Sequence, residues 1–134
     1  MILNKSNCEL INTKEIYMHD DIFVSLDFNY NEKTLIMHMI EYYGNQKAYV
    51  IKFCDVAGFE ISSSDFWGAD DRVCDYEYIN SENSTLILKL QNEWLNTPNH
   101  DNRPLPFDEH FESLFTFISG DTLRIAAKTV EIIK

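Results

Sequence analysis

The chain is poor in the residues on which much ligand chemistry depends. It has four glycines, and they stand alone at Gly44, Gly58, Gly68 and Gly120. Phosphate cradles need clustered glycines so that backbone N–H groups can approach the anion. With no GxG pair and no Gly-Lys-Ser or Gly-Lys-Thr, a P-loop or dinucleotide-binding loop is excluded. A GxSxG nucleophile elbow is also missing. There are three cysteines, Cys8, Cys54 and Cys74. The number is odd and no CxxC occurs, so neither a disulfide framework nor a zinc ribbon is indicated. Cys54 and Cys74 fall within strand-like runs, where buried, reduced thiols are expected. All three prolines lie at Pro98, Pro104 and Pro106, which predicts an irregular surface loop over 97–107. No apolar run approaches the roughly 20 residues of a membrane helix. Met1 to Asn7 are too polar for a secretory h-region, so a cytoplasmic location is expected.

Bases are scarce as well. Eleven Lys and Arg face 22 Asp and Glu, for a formal charge of −11. Such a surface repels nucleic acid and anionic lipid and attracts a basic partner; the competing explanation is solubility alone. What the chain does have is apolar and aromatic content, 45% and 13% of residues. That is enough for a packed globule, and 134 residues are expected to form one domain spanning 1–134.

The apolar residues are ordered most clearly over 21–56. Ile22, Val24, Leu26, Phe28 and Tyr30 recur at every second position, with Phe23 the exception. Period two marks a strand with one buried face. Asn29 to Lys33 supply turn formers. The next run, 34–43, is apolar on both faces (Leu35, Met37 and Met39 against Ile36, Ile40 and Tyr42), as in a central strand. Gly44-Asn45-Gln46 reverses the chain again, and Tyr49, Ile51 and Phe53 then oppose Lys52. The result is a β-meander.

Elsewhere the pattern is patchier. Glu9-Leu10-Ile11 reads as a short strand or an arm over the sheet, and Phe59-Glu60-Ile61 as a short strand. Over 72–79, Cys74, Tyr76 and Tyr78 share one face, and Asp75 and Glu77 share the other with Val73 and Ile79. Ser84 can cap a helix over 85–96, where Leu86, Leu90 and Trp94 form a face and Lys89, Gln91 and Glu93 are good helix formers. The chain closes with a hairpin: Phe111, Ser113, Phe115 and Phe117, a Ser119-Gly120-Asp121 turn, then Leu123, Ile125 and Ala127. The parity shift to Val130 and Ile132 predicts a bulge or a differently covered end. The fold class expected is α+β and β-rich: an antiparallel meander and C-terminal hairpin in one or two sheets, six to eight strands in all, with one helix.

No catalytic constellation emerges. His19-Asp20-Asp21 brings two ligand types together, but successive side chains at a strand start diverge; His100 and His110 are too far apart for a local zinc signature. His38, on the side of Ile36 and Ile40, reads as a structural histidine. Asp75 with Glu77, or Asp70 with Asp71, has the form of a hydrolase carboxylate pair, yet acids are so abundant that a wet strand face accounts for both. The sequence assigns no catalytic residue, metal or cofactor. What stands out is Asp65, Phe66, Trp67, Asp70, Asp71, Asp75 and Glu77, an aromatic pair ringed by carboxylates, with Arg72 the base among them. Tryptophan supplies buried area and acids supply steering, the ingredients of an interface for a basic protein. The alternative is that Phe66 and Trp67 plug the end of the core.

With Met18-His19-Asp20 entering the first strand, the meander after it, Phe66-Trp67-Gly68, and the closing run Phe117 to Ile125, the chain resembles small bacterial immunity proteins found beside polymorphic or contact-dependent toxins. The resemblance implies a cytosolic, non-catalytic inhibitor that binds one toxin domain and blocks its active site, and the acidic charge fits a basic, nuclease-like toxin. Such families have no fixed functional motif, so no residue roles carry over. Two other classes stay open. One is a small-molecule or carbohydrate-binding β module, or an enzyme, using Tyr42, Tyr43 and Trp67 with nearby acids. The other is a homodimer in which an edge strand pairs across a two-fold axis.

Overall fold

A computed structural model describes residues 1–12, 17–62, 71–98 and 107–134. Among the described residues there are nine strands and one α-helix: β1 (Ile2–Asn4), β2 (Ile22–Asn29), β3 (Thr34–Ile40), β4 (Ala48–Cys54), β5 (Gly58–Ile61), β6 (Val73–Asn80), α1 (Thr85–Leu95), β7 (Phe111–Phe117), β8 (Thr122–Ala127) and β9 (Thr129–Ile133), with a short 3-10 helix at Cys8–Asn12. All strand pairs are antiparallel. They form a five-stranded sheet of order β1-β9-β4-β3-β2 and a four-stranded sheet of order β5-β8-β7-β6. The β-rich α+β class, the meander (β2 to β4), the closing hairpin (β7 and β8) and the helix are therefore as expected.

The local chemistry explains the turns. After β2 the Asn29 side chain accepts from the Glu32 N–H, and Lys33 takes the left-handed conformation at φ 54°. Gly44 (φ 86°) and Gln46 (φ 52°) reverse the chain between β3 and β4. Gly120 (φ 92°) closes the last hairpin.

Two strands pass from one sheet into the other. β4 becomes β5 through Asp55 to Ala57, and β8 becomes β9 across Lys128 alone. β4 pairs with β9 and β5 with β8, so these segments form one bent ribbon shared by both sheets. At its corner Asp55 adopts φ 53° and the Lys128 N–H donates to the Cys54 carbonyl. This is the physical reason for the parity shift after Ala127: Ala127 and Val130 both point into the core, on either side of the bend. A second junction closes the opposite side. Ile22 and Arg72 form a bridge, flanked by hydrogen bonds between Val73 and Asp21 and from the Phe23 N–H to the Asp71 carbonyl.

The core lies between the sheets. Leu35, Met37, Ile51 and Phe53 from one side meet Phe115, Leu123 and Ile125 from the other, with Phe53 and Phe115 in edge contact at 6.3 Å. Two bulges correct the simple alternation read from sequence. The register of β2 shifts between Phe23 and Ser25, so Phe23, not Ile22, packs against the core beside Phe117; Leu26 follows it, while Phe28 on the same face stays exposed. In β6 the shift between Val73 and Asp75 buries Val73 with Tyr76 and Tyr78 and turns Cys74 out. Of the cysteines only Cys8 is buried; Cys54 is half-buried and Cys74 exposed, so the expectation of buried strand thiols is wrong. The N-terminal strand is Ile2–Asn4, not the run at Glu9 to Ile11. β3 is central, but its outer residues Ile36, His38 and Ile40 stay partly exposed.

The outer face of the four-stranded sheet is capped by α1. Ser84 accepts from the Ile87 N–H at 3.0 Å, the expected N-cap. Leu86, Ile87 and Leu90 pack on Ala126 and Ala57, and Gly58 admits Leu90 so closely that a Cβ there would lie 3.1 Å from it. Beneath the helix start, the fully buried Glu112 accepts from Ser84 Oγ and from Arg124, each at 2.8 Å. No helix among the described residues is long and apolar enough to cross a membrane.

Candidate functional site

The junction of β2 with β6 carries the surface with the most unusual chemistry. Asp21 is buried where the chain enters β2. One of its carboxylate oxygens accepts from the Tyr49 hydroxyl and the other from the Tyr42 N–H at 3.1 Å. A single carboxylate thus fastens the 41–47 turn to the start of β2. Burial, then the Asp21 hydrogen bond, pushes the Tyr49 hydroxyl well above the ordinary tyrosine range, so it stays a donor. Asp20, at φ 70°, accepts from the Tyr43 hydroxyl at 3.0 Å. That bond, with the carboxylate's charge, also raises the Tyr43 pKa.

On this fixed base three tyrosines face solvent: Tyr17, Tyr42 and Tyr43 are 59%, 42% and 58% exposed. Tyr42 and Tyr43 meet edge to face at 5.1 Å, and Tyr17 lies 6.2 Å from the His19 ring. The guanidinium of Arg72 sits 5.8 Å over the Tyr42 ring. At the rim, Lys134 pairs with Glu41 at 3.2 Å and lies over the Tyr49 ring. Tyr17 separates two grooves. One, of about 490 Å³, runs along Met1, Met18 and Ile132 to Lys134; the other, of about 190 Å³, is walled by Tyr17 and His19 on one side and Cys74 and Asp75 on the other.

Asp75 joins this patch to the acidic stripe read from sequence. Asp71, Asp75 and Glu77 are all exposed. Asp75 opposes Thr116 and Glu77 opposes Leu114, both on the outer face of the four-stranded sheet and clear of the core. Asp65, Phe66, Trp67 and Asp70 lie outside the described residues. Of the alternative aromatic set, Tyr42 and Tyr43 are together and exposed. Sequence reading missed Tyr17, and it weighed Asp20 and Asp21 as ligands when they anchor the tyrosine turn. The signal was present as two adjacent acids ahead of a strand and two adjacent tyrosines ahead of a glycine turn, but nothing local links them across 21 residues.

His19 Nδ1 lies 3.5 Å from Asp20, His38 Nε2 lies 2.7 Å from Asp27, and His110 Nε2 is bonded to the Asp55 carbonyl. Burial raises the Cys8 thiol pKa, which keeps it a poor nucleophile. Among the described residues no three His, Cys, Asp or Glu side chains are placed to hold one metal ion. The surface offers aromatic area with few rotamers to freeze and exposed carboxylates beside it. Comparisons of the chain with protein-family models, with curated proteins and with solved structures each give no match.

Proposed function

We propose that the protein is a non-catalytic binding protein, an immunity protein of the cytoplasm that neutralises a basic, nuclease-like toxin by covering it with the tyrosine and carboxylate surface at the β2–β6 junction. The carrying observation is a set of three exposed tyrosines, Tyr42 and Tyr43 on a turn held by buried Asp21 and Tyr17 ahead of β2, with Asp20 bonded to Tyr43 and the exposed Asp75 lining the groove beside Tyr17. Tyrosine is enriched among residues that dominate binding energy, and a chain of charge −11 accelerates encounter with a cation-rich partner. The resemblance to immunity proteins supplies the partner class.

The test pairs the purified protein with the toxin domain encoded beside it. Calorimetry should give a complex that weakens as salt rises, and expression should protect cells. Tyr42→Ala with Tyr43→Ala should weaken binding by about 100-fold, or roughly 3 kcal/mol, while Asp71→Lys with Asp75→Lys should chiefly slow association. A toxin that neither binds nor is neutralised ends this reading.

One observation favours a second reading. The groove beside Tyr17, about 490 Å³, falls within the size range of small-ligand sites. A carbohydrate stacking on Tyr17 would perturb its resonances in a ligand screen, and loss of the effect in Tyr17→Ala would identify the site.

A further inference from the structure

We infer that the outer face of the five-stranded sheet is a docking surface for a second copy of this chain, distinct from the tyrosine surface. Strand alternation places Ile22, Ile36, Ile40, Val50 and Ile133 on this face, with the bulged Val24 beside them. Ile2, Val24 and Ile133 are each about half exposed, and a shallow trough of about 470 Å³ runs between Val24, His38, Ile40, Val50 and Ile133. Helix α1 packs against strands of the other sheet, and no helix among the described residues covers this one.

Charge selects the occupant. The chain carries −11, so two copies repel over most approaches. On this face the balance is different: Lys52 stands in register beside Glu131, and the one further carboxylate in that row, Asp27, is hydrogen-bonded to His38 at 2.7 Å. A nearly neutral apolar face gives a cation-rich partner no steering, but it lets two acidic molecules meet with little like-charge contact. The two-fold arrangement that results places the same patch on both sides.

Area sets the size class of the contact. Five strands at about 4.8 Å spacing and about six residues at roughly 3.3 Å rise cover a patch of about 20 Å by 20 Å. With side-chain relief this is on the order of 500 Å² of accessible surface per copy, or about 1,000 Å² for the pair, the lower bound for a specific interface. Interfaces at this lower bound are weak and transient, and dissociation at about 10 µM is the expectation tested below.

Analytical ultracentrifugation of the full chain from about 2 to about 200 µM tests this, bracketing the expected dissociation constant. The expected result is a monomer–dimer equilibrium that strengthens between about 50 and about 500 mM NaCl, as repulsion is screened. That is opposite in sign to the salt dependence of binding a basic partner. Val24→Glu with Ile133→Glu, both at exposed positions, should keep the fold by circular dichroism and weaken the dimer at least about 30-fold. Tyr42→Ala with Tyr43→Ala should leave it unchanged, which separates this surface from the toxin-binding one. A monomer throughout would overturn the inference and give the face to a different protein. A dimer indifferent to the two glutamates would overturn it too, by placing the contact elsewhere.

Discussion

The two sheets present outer faces of opposite character. That of the four-stranded sheet is covered over part of its area by α1, and a buried polar group there is paired: Ser84 binds both the helix start and Glu112, and Arg124 pairs with the same carboxylate. Its uncovered part carries Asp75 and Glu77. The five-stranded sheet has aliphatic side chains outside as well as inside, and only a short charged row of Glu131, Lys52 and Asp27 crosses it. Comparable strand patterns thus lead to different ends. One face is completed by a helix of the chain, and no helix among the described residues covers the other.

The sharpest way to break this comparison is to attack the covered face. Arg124→Leu leaves the buried Glu112 carboxylate with Ser84 alone, and stability should fall by about 3 kcal/mol in urea unfolding, because an unpaired buried charge is expensive. A loss under about 1 kcal/mol would mean that water reaches Glu112. Next, one substitution can be made on both faces. Ile87→Ala, under the helix and fully buried, should cost about 3 kcal/mol. Ile36→Ala, on the bare face and partly exposed, should cost about 1 kcal/mol or less at concentrations where the chain is monomeric. Equal costs would show that the bare face is covered in the monomer.

The smallest effect concerns pH. His110 is buried near α1, where its ring meets Phe107 at 5.6 Å; burial, the largest cause, lowers its pKa below the ordinary 6.5. The unfolded chain therefore takes up a proton before the folded one does. Stability should be full above about pH 6.5 and decline as pH falls from there towards the lowered folded value. In His110→Gln that decline should vanish from unfolding curves taken between about pH 7 and pH 5.5, leaving only the later carboxylate titrations. A wild-type stability that is flat over the interval would contradict the proposed neutral state of the ring.

How legible all this was in the sequence depended on the distance over which each feature is specified. The meander and closing hairpin were plain because alternation and turn residues are local: Tyr49, Ile51 and Phe53 point inward as their spacing requires. The helix was readable from Ser84 onward for the same reason. The phase of β2 and β6 was not. Each contains one bulged residue, Val24 and Cys74, and a bulge reverses the faces of everything on one side of it. β1 was missed because three residues carry no period; Ile2 to Asn4 become a strand only by pairing with residues 129–131. The acidic half of the candidate surface was visible as Asp71, Asp75 and Glu77. The tyrosine half was seen only as loose aromatics, since its cohesion comes from Asp20 and Asp21 reaching a distant turn.

The ribbon that bends at Asp55 and Lys128 has a consequence for how the molecule comes apart. Its four strands hold positions in both sheets, so neither layer can peel away while the other keeps its pairing. Loosening at the corner, where the Lys128 N–H meets the Cys54 carbonyl, would be felt simultaneously under α1 and beneath the tyrosine turn. A molecule wired in this way trades hinge motion for rigidity, so its surfaces keep their geometry before anything touches them.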